Sequence, residues 1–178
     1  MNETQMTLGR DWDGRNITGW LASEKYDGCR AYWDGSTLWT REGNIICAPK
    51  WFTQSLPACM ELDGEIWAGR GRFNEAMRAT RDGVFTPLIR LMVFDAPQEA
   101  GTWATRMDVA KSSLNGCAVA APVPYAPLAS VPDMWTRFDE VKAGGGEGLM
   151  LRDYRCNGYE YGRTNKLLKV KIRKETTL

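Results

Sequence analysis

One lysine near the start of the sequence stands between two strand-like segments. Residues 20–22 precede Lys25 and residues 29–33 follow it, and Asp27-Gly28 between them is a common turn pair. Lys25 is therefore expected at a strand end, where the turn exposes its amine and the sheet fixes its position. This arrangement can present a nucleophile, but an exposed lysine in a β-turn has the same short pattern.

A second pair of lysines lies near the other end of the sequence. In residues 167–171, alternation places Lys169 and Lys171 on one face of a strand. A nucleophilic amine must be unprotonated, which desolvation or neighbouring cations favour. These two lysines supply such cations if their face points inward, and an exposed sheet face is the alternative.

Three carboxylates are also placed unusually. Asp63 and Glu65 share one face of a strand and repel each other unless a positive charge lies nearby. Glu147 opens an apolar strand, where burial is costly without a partner. An exposed polar sheet face explains the first pair equally well, and a salt bridge to an arginine explains Glu147.

The remaining patterns predict strands and helices in alternation. Asp34-Gly35 indicates a hairpin, and residues 88–95 and 119–123 are strand-like. Helices are predicted over residues 74–81 with Asn74 as N-cap, over 102–114 with Thr102 as N-cap, and over 130–143 with Trp135 on the apolar face. Such a mixture predicts an α+β fold.

Composition restricts the class of protein. A length of 178 residues suits one globular domain, and a net charge of +1 means that nucleic acid would have to be held by a local patch. The five cysteines are scattered and no histidine is present, which disfavours a disulfide scaffold or a zinc site. No apolar run is long enough to span a membrane, so a cytoplasmic protein is expected.

Six segments occur in an order that resembles a known family. They are residues 25–30 (KYDGCR), 40–44 (TREGN), 61–67 (ELDGEIW), 92–97 (MVFDAP), 147–152 (EGLMLR) and 167–171 (LLKVK). Together they resemble the covalent nucleotidyltransferases, and most closely the minimal ATP-dependent DNA ligases of bacteria and phages.

The resemblance implies a fold and an activity. The fold is an antiparallel-sheet, ATP-grasp-like nucleotidyltransferase (adenylation) domain over residues 1–178, with flanking helices and the nucleotide in a cleft between sheets. Lys25 would form a covalent link to AMP taken from ATP, with Mg²⁺ or Mn²⁺ as the metal. The AMP would then pass to the 5′-phosphate of a nick in duplex DNA. The chain would work as a monomer, away from membranes.

The resemblance also assigns roles to individual residues. Those assigned to the nucleotide are Glu24, Arg30, Glu65, Phe94, Glu147, Lys169 and Lys171. Glu65 and Glu147 are further assigned to the metal, and Arg41 and Arg163 to DNA. Without the resemblance, Phe94 would be a core residue and Arg41 a solvated hairpin arginine.

The sequence departs from the family after Lys171. Only seven residues follow, so the OB-fold domain of the family is expected to be absent, and self-adenylylation is expected to be weaker than sealing of a pre-adenylylated nick. Three alternatives stay open: an RNA ligase, an mRNA-capping guanylyltransferase, or a non-catalytic nucleic-acid- or nucleotide-binding module of the same fold.

Overall fold

The computed structural model describes residues 6–171 of the chain. Within that range the backbone forms ten β-strands and four α-helices. The strands are β1 (Thr7–Asp11), β2 (Leu21–Lys25), β3 (Cys29–Trp33), β4 (Leu38–Thr40), β5 (Leu62–Trp67), β6 (Arg90–Asp95), β7 (Ala120–Pro122), β8 (Tyr125–Pro127), β9 (Gly148–Arg152) and β10 (Gly162–Lys171). The helices are α1 (Lys50–Thr53), α2 (Phe73–Asp82), α3 (Trp103–Ser113) and α4 (Val131–Ala143).

The strands form two five-stranded sheets. The first has the order β1-β10-β9-β2-β8 and the second the order β4-β3-β5-β6-β7. Most neighbours are antiparallel, but β1 pairs with β10, and β6 with β7, in the parallel direction. The predicted α+β class is confirmed, and the antiparallel expectation holds except at these two pairs.

Helices cover one face of each sheet. The apolar face of α4 packs against β9 and β10 of the first sheet through Met134 and Phe138. The short alanine side chains of α2 and the apolar residues of α3 pack with the second sheet, where Ala76, Ala79 and Ala110 are fully buried. The two other sheet faces are turned toward each other, and the cleft between them contains the candidate site.

The third helix forms where the sequence predicts it. The Thr102 side chain accepts a hydrogen bond from the Thr105 backbone N–H and so caps α3. The predicted apolar stripe of Trp103, Met107, Ala110 and Leu114 is buried along its length. Both the cap and the buried face of this helix are confirmed.

Two helix details differ from the sequence prediction. Helix α2 begins at Phe73 with Arg72 at its N-cap, so Asn74 lies inside the helix and the predicted Asn74 cap is wrong. Trp135 is 42% exposed although it was predicted on the apolar face of α4. The buried face is defined by Met134 and Phe138, four residues apart, and Trp135 lies beside it.

Three buried charged side chains connect the two sheets. Asp95 at the end of β6 accepts hydrogen bonds from Arg106 of α3 at 2.7 and 3.1 Å. Arg152 at the end of β9 lies 3.5 Å from the same carboxylate. All three residues are at most 7% exposed. Buried charges are tolerated only when paired, so Asp95 is the residue on which both arginines depend.

Neither a disulfide nor a membrane-spanning helix is found among residues 6–171. The five cysteines are all free thiols. Within residues 6–171, no helix is both long enough and apolar enough to cross a bilayer.

Candidate active site

A cavity of about 840 Å³ lies between the inner faces of the two sheets. The first sheet contributes Lys25, Lys169 and Lys171, and the second contributes Arg30 and Glu65. Strand geometry explains the shared faces, because Lys169 and Lys171 are two residues apart and Arg30 is in register with Glu65. All predicted site residues other than Glu147 line this cavity, namely Glu24, Lys25, Arg30, Arg41, Glu65, Phe94, Arg163, Lys169 and Lys171.

Close backbone packing beside Lys25 requires glycine. A Cβ at Gly28 would lie 2.2 Å from the carbonyl oxygen of Ile66 and 2.9 Å from Glu65 Cγ. Gly28 therefore lets the turn after Lys25 approach β5, which brings Lys25 and Glu65 to the same cavity.

Lys25 ends β2 and forms an ion pair. Its Nζ donates a hydrogen bond to Glu147 Oε2 at 2.6 Å, and the two side chains are 24% and 31% exposed. Glu147 lines a smaller neighbouring cavity of about 240 Å³ rather than the main one. The partner of Glu147 is thus this lysine and not the arginine that the sequence suggested as an alternative.

A row of three residues crosses three neighbouring strands at the Lys25 end of the cavity. Gly148 of β9 is in register with Lys25 of β2 on one side and with Lys171 of β10 on the other. Because cross-strand partners share a sheet face, a position without a side chain separates two lysines. Lys169 is two residues from Lys171 on the same face, and its Nζ lies 3.5 Å from Asp11 Oδ1. Three lysines therefore lie close together at this end of the cavity, around the open space above Gly148.

The Arg30 side chain is held in place by Asp63, which lies on the same strand face as Glu65. Its Nε and Nη2 donate to the two carboxylate oxygens of Asp63, each at 2.6 Å, and Nη2 also donates to the Thr7 carbonyl oxygen. The Tyr159 hydroxyl donates to Asp63 as well, at 2.6 Å. Asp63 is fully buried, so the exposed polar face considered from the sequence is wrong for this residue. Arg30 is the positive charge that this pair of acids requires.

The Phe94 ring makes a cation–π contact with Arg30. The Arg30 guanidinium carbon lies 4.6 Å from the ring centroid. Phe94 is partly buried and lines the cavity.

Glu65 has an altered acidity. Burial raises the pKa of this carboxyl to about 7, although the charges of Arg30 and Lys25 act in the opposite direction. Near neutral pH the carboxyl is thus divided between its neutral and charged forms. Any ligand that needs the carboxylate will bind better as the pH rises through 7.

We expect the Glu65→Gln variant to gain stability relative to the wild type as the pH rises from 5 to 8. The folded-state pKa of about 7 lies above the unfolded value, so the folded wild type holds the extra proton and loses stability across that window. Because a glutamine side chain cannot ionise, the difference in unfolding free energy should grow by about 2 kcal/mol. Urea denaturation at both pH values measures it.

The exposed Glu140 of α4 provides the matched control for that measurement. Glu140→Gln should show the same pH dependence as the wild type. An equal gain in both variants would contradict a specific role for burial at Glu65.

Glu24 is held by Arg70, which is not among the predicted site residues. Arg70 Nε and Nη2 donate to the two Glu24 oxygens at 3.0 and 2.9 Å, and Nη1 donates to the Gly144 carbonyl oxygen at 3.0 Å. Arg70 therefore joins the loop before α2 to the loop after α4, and both loops border the Lys25–Glu147 ion pair.

Arg41 and Arg163 lie at the edge of the cavity. Arg41 directly follows β4, as predicted from the hairpin. Arg163 is exposed on β10 and donates to the Gly9 carbonyl oxygen at 3.3 Å. The two arginines belong to different sheets, so they line the cavity from two sides.

The acidic side chains Glu65 and Glu147 can supply only part of the ligand set of a divalent cation. In the part of the chain that the structure describes, no group of three or more potential ligand side chains is close enough to hold a metal. Glu65 and Glu147 each offer carboxylate oxygens. Mg²⁺ commonly takes one or two carboxylates together with waters and substrate phosphates. The two glutamates match that donor set when a phosphate supplies further oxygens.

The chain is similar to known DNA ligases. It is 28% identical over 172 residues to the DNA ligase of Haemophilus influenzae, covering 94% of this chain and 63% of that protein. The chain thus spans less than two thirds of that relative. No protein-family model matches the sequence.

Solved structures give the same result. A structure from a study of DNA binding by Lig E DNA ligases superposes with a TM-score of 0.85 and is 33% identical, over 94% of this chain and 68% of that one. The Chlorella virus DNA ligase-adenylate superposes with a TM-score of 0.78 at 20% identity, over 94% and 69% of the two chains. With 33% identity over more than two thirds of a Lig E DNA ligase, the chain belongs to the DNA ligase family and has the fold of its ATP-dependent adenylation domain.

Proposed function

We propose that this chain transfers AMP from ATP, through a covalent link to Lys25, to the 5′-phosphate of a nick in duplex DNA and then seals the nick. The observation that carries the proposal is the row in which Gly148 separates Lys25 from Lys171. It provides an amine, a second cation and open space on one face of a sheet.

In the first step the Lys25 amine attacks the α-phosphorus of ATP. A nitrogen–phosphorus bond forms, the bond from that phosphorus to the bridging oxygen breaks, and pyrophosphate leaves with the bonding electrons. Charge builds up on phosphate oxygens during this transfer, and Lys169 and Lys171, which line the cavity, would stabilise that charge.

Before attack, the Lys25 amine must give up its proton and its ion pair with Glu147. Glu147 would hold Mg²⁺ together with Glu65, and the bound cation would supply neutralisation of phosphate charge. A carboxylate that binds a cation is a weaker partner for an ammonium group. The same residue can therefore restrain the amine in one state and release it in the next.

The rest of the nucleotide fits the remaining side chains. Phe94 offers a ring for stacking on adenine. Arg30, rigidly held by Asp63, offers guanidinium donors for the ribose or the DNA end, and Glu24 offers carboxylate acceptors.

DNA would lie across the opening of the cavity. Arg41 and Arg163 are suited to backbone phosphates because the guanidinium fork matches a pair of phosphate oxygens. In the second step AMP moves from Lys25 to the 5′-phosphate. In the third, the 3′-hydroxyl displaces AMP and closes the strand. We further propose that residues 1–178 form one nucleotidyltransferase domain, which acts on nicked DNA as a cytoplasmic monomer.

A ligation assay tests this function. The purified chain is incubated with Mg²⁺ and a duplex containing one nick with a labelled 5′-phosphate, and strand joining is followed on a denaturing gel. We expect joining with ATP and none with GTP, and more joining on DNA than on a duplex whose nicked strand is RNA. Covalent labelling of the chain by GTP in place of ATP would favour a capping-type enzyme, and joining that prefers RNA would favour an RNA ligase.

A further inference from the structure

Both sequence neighbours of Lys25 are held by the second sheet, through the last residue of β5 and the loop that follows it. The Tyr26 ring packs edge-on against Trp67, with 5.0 Å between the ring centroids. The two carboxylate oxygens of Glu24 accept hydrogen bonds from Arg70 at 3.0 and 2.9 Å. The position of the Lys25 backbone relative to the second sheet is therefore fixed on both sides of the lysine.

Arg70 also reaches the segment that carries Glu147. Its Nη1 donates to the carbonyl oxygen of Gly144 at 3.0 Å, and Gly144 lies three residues before Glu147 in the chain. One guanidinium thus joins the strand that ends at Lys25 to the loop that leads into Glu147. These are the two segments whose side chains form the ion pair of 2.6 Å.

The loop after α4 is shaped to admit this arginine. A Cβ at Gly144 would lie 2.1 Å from Arg70 Nη1. The backbone of Gly144 has a φ of −82° and a ψ of 6°, values that most residues tolerate in a type I turn. The contact with Arg70, and not the backbone conformation, is therefore what excludes a larger residue at this position.

We propose that Arg70 is a positioning residue for the attachment of AMP to Lys25, and that it acts by holding the Lys25 amine and the Glu147 carboxylate at a fixed separation. The inference rests on the proposed function, in which Glu147 first restrains the amine and then releases it. Arg70 lines the smaller cavity, as Glu147 does, and is not among the residues that line the main one. Its contribution is orientation, and a misplacement of about 1 Å at a reacting group can slow a reaction about 100-fold.

The exposure of the Arg70 contact separates its geometric role from a role in stability. The side chains of Arg70 and Glu24 are 37% and 18% exposed. Partly exposed ion pairs add little to the free energy of folding, because water and salt screen them. Arg70→Met should therefore stay folded, which circular dichroism verifies, and should change mainly the relative position of the segments that Arg70 joins.

Single-turnover kinetics of Arg70→Met test the inference. The rate of AMP attachment is followed on a denaturing gel at saturating α-labelled ATP with Mg²⁺, and the affinity for ATP is measured by calorimetry without Mg²⁺. We expect the rate to fall roughly ten- to a hundred-fold, while the dissociation constant for ATP stays within about three-fold of the wild type. Arg70→Lys keeps a charge for Glu24 but lacks the fork that spans both partners, so its rate should be intermediate.

Gly144→Ala removes the same contact in an independent way. The added methyl group meets the tip of a flexible side chain, so it should displace the Arg70 guanidinium and lower the rate as Arg70→Met does. In the double variant the guanidinium is already absent, so the rate should be no lower than in Arg70→Met alone. Arg72→Met is the matched control, because Arg72 lies in the same loop, pairs with Glu75 at the surface and should leave the rate unchanged.

Crystal structures of the variants give a readout that does not depend on activity. The distance from Lys25 Nζ to Glu147 Oε2 is 2.6 Å in the wild type. It should lengthen in Arg70→Met and in Gly144→Ala, and it should stay the same in Arg72→Met.

Three results would overturn the inference. The first is an unchanged rate in Arg70→Met. The second is a loss of ATP affinity with the rate at saturation preserved, which would make Arg70 a binding residue. The third is a double variant whose loss is the product of the two single losses, which would mean that Arg70 and Gly144 act separately. A wild type that attaches no AMP overturns the proposed function instead, and the distance between Lys25 and Glu147 in the variants then decides the role of Arg70.

Discussion

The Lys25→Ala variant is expected to lose all transfer of AMP from ATP but to keep sealing a nick whose 5′-phosphate already carries AMP. The lysine amine is the atom that forms the bond to phosphorus in the first step, and no other atom replaces it. In the final step the reacting atoms are the 3′-hydroxyl oxygen and the phosphorus of the DNA adenylate. We expect the first activity to fall below detection and the second to stay within roughly ten-fold of the wild type.

Two substrates distinguish these steps. Incubation with α-labelled ATP and Mg²⁺, followed by a denaturing gel and mass spectrometry, measures AMP attached to the protein, and a pre-adenylylated nicked duplex measures sealing. Lys111→Ala removes an exposed lysine of α3 and should behave as the wild type in both assays. Covalent AMP on the Lys25→Ala chain would show that another side chain is the nucleophile.

Replacing Asp95 by alanine is expected to lower the unfolding free energy by about 3–5 kcal/mol. The substitution leaves Arg106 and Arg152 as two buried cations without the carboxylate that they share. It also removes the connection between the end of β6 and the end of β9. Urea denaturation at pH 7, followed by circular dichroism, measures the loss.

Two other variants calibrate that result. Arg106→Met leaves Asp95 paired with Arg152 alone and should lose less stability than Asp95→Ala. Asp82→Ala breaks an exposed ion pair with Arg81 and should leave the unfolding free energy nearly unchanged. Equal effects of Asp82→Ala and Asp95→Ala would show that the buried network contributes nothing special.

Local patterns predicted most of the elements and the positions of the site residues along the chain. Capping by Thr102 and the apolar stripe that follows it specify α3 through contacts within a few residues. Strand alternation placed Lys169 and Lys171 on one face, and the structure places both at the cavity. The resemblance brought together segments whose local patterns were individually ambiguous.

Partner choice between distant segments could not be predicted in the same way. The pairs Lys25–Glu147 and Glu24–Arg70 join segments with no common local pattern, and the sequence proposed a different partner for Glu147. The sequence does indicate that Arg152 needs a partner, since it is an arginine at the end of an apolar strand. It does not indicate that Trp103 contacts Arg152, because the helical apolar stripe already accounts for the burial of Trp103.

The parallel pairing of β1 with β10 has a consequence for how this molecule is made. The first described strand, β1, pairs with the last one, β10. The sheet that carries Lys25 therefore cannot be completed until β10 has emerged from the ribosome. Such long-range closure slows folding and leaves an unpaired strand exposed meanwhile. Until β10 has been synthesised, a nascent chain therefore lacks both the partner of β1 and the lysine pair Lys169 and Lys171 of the cavity.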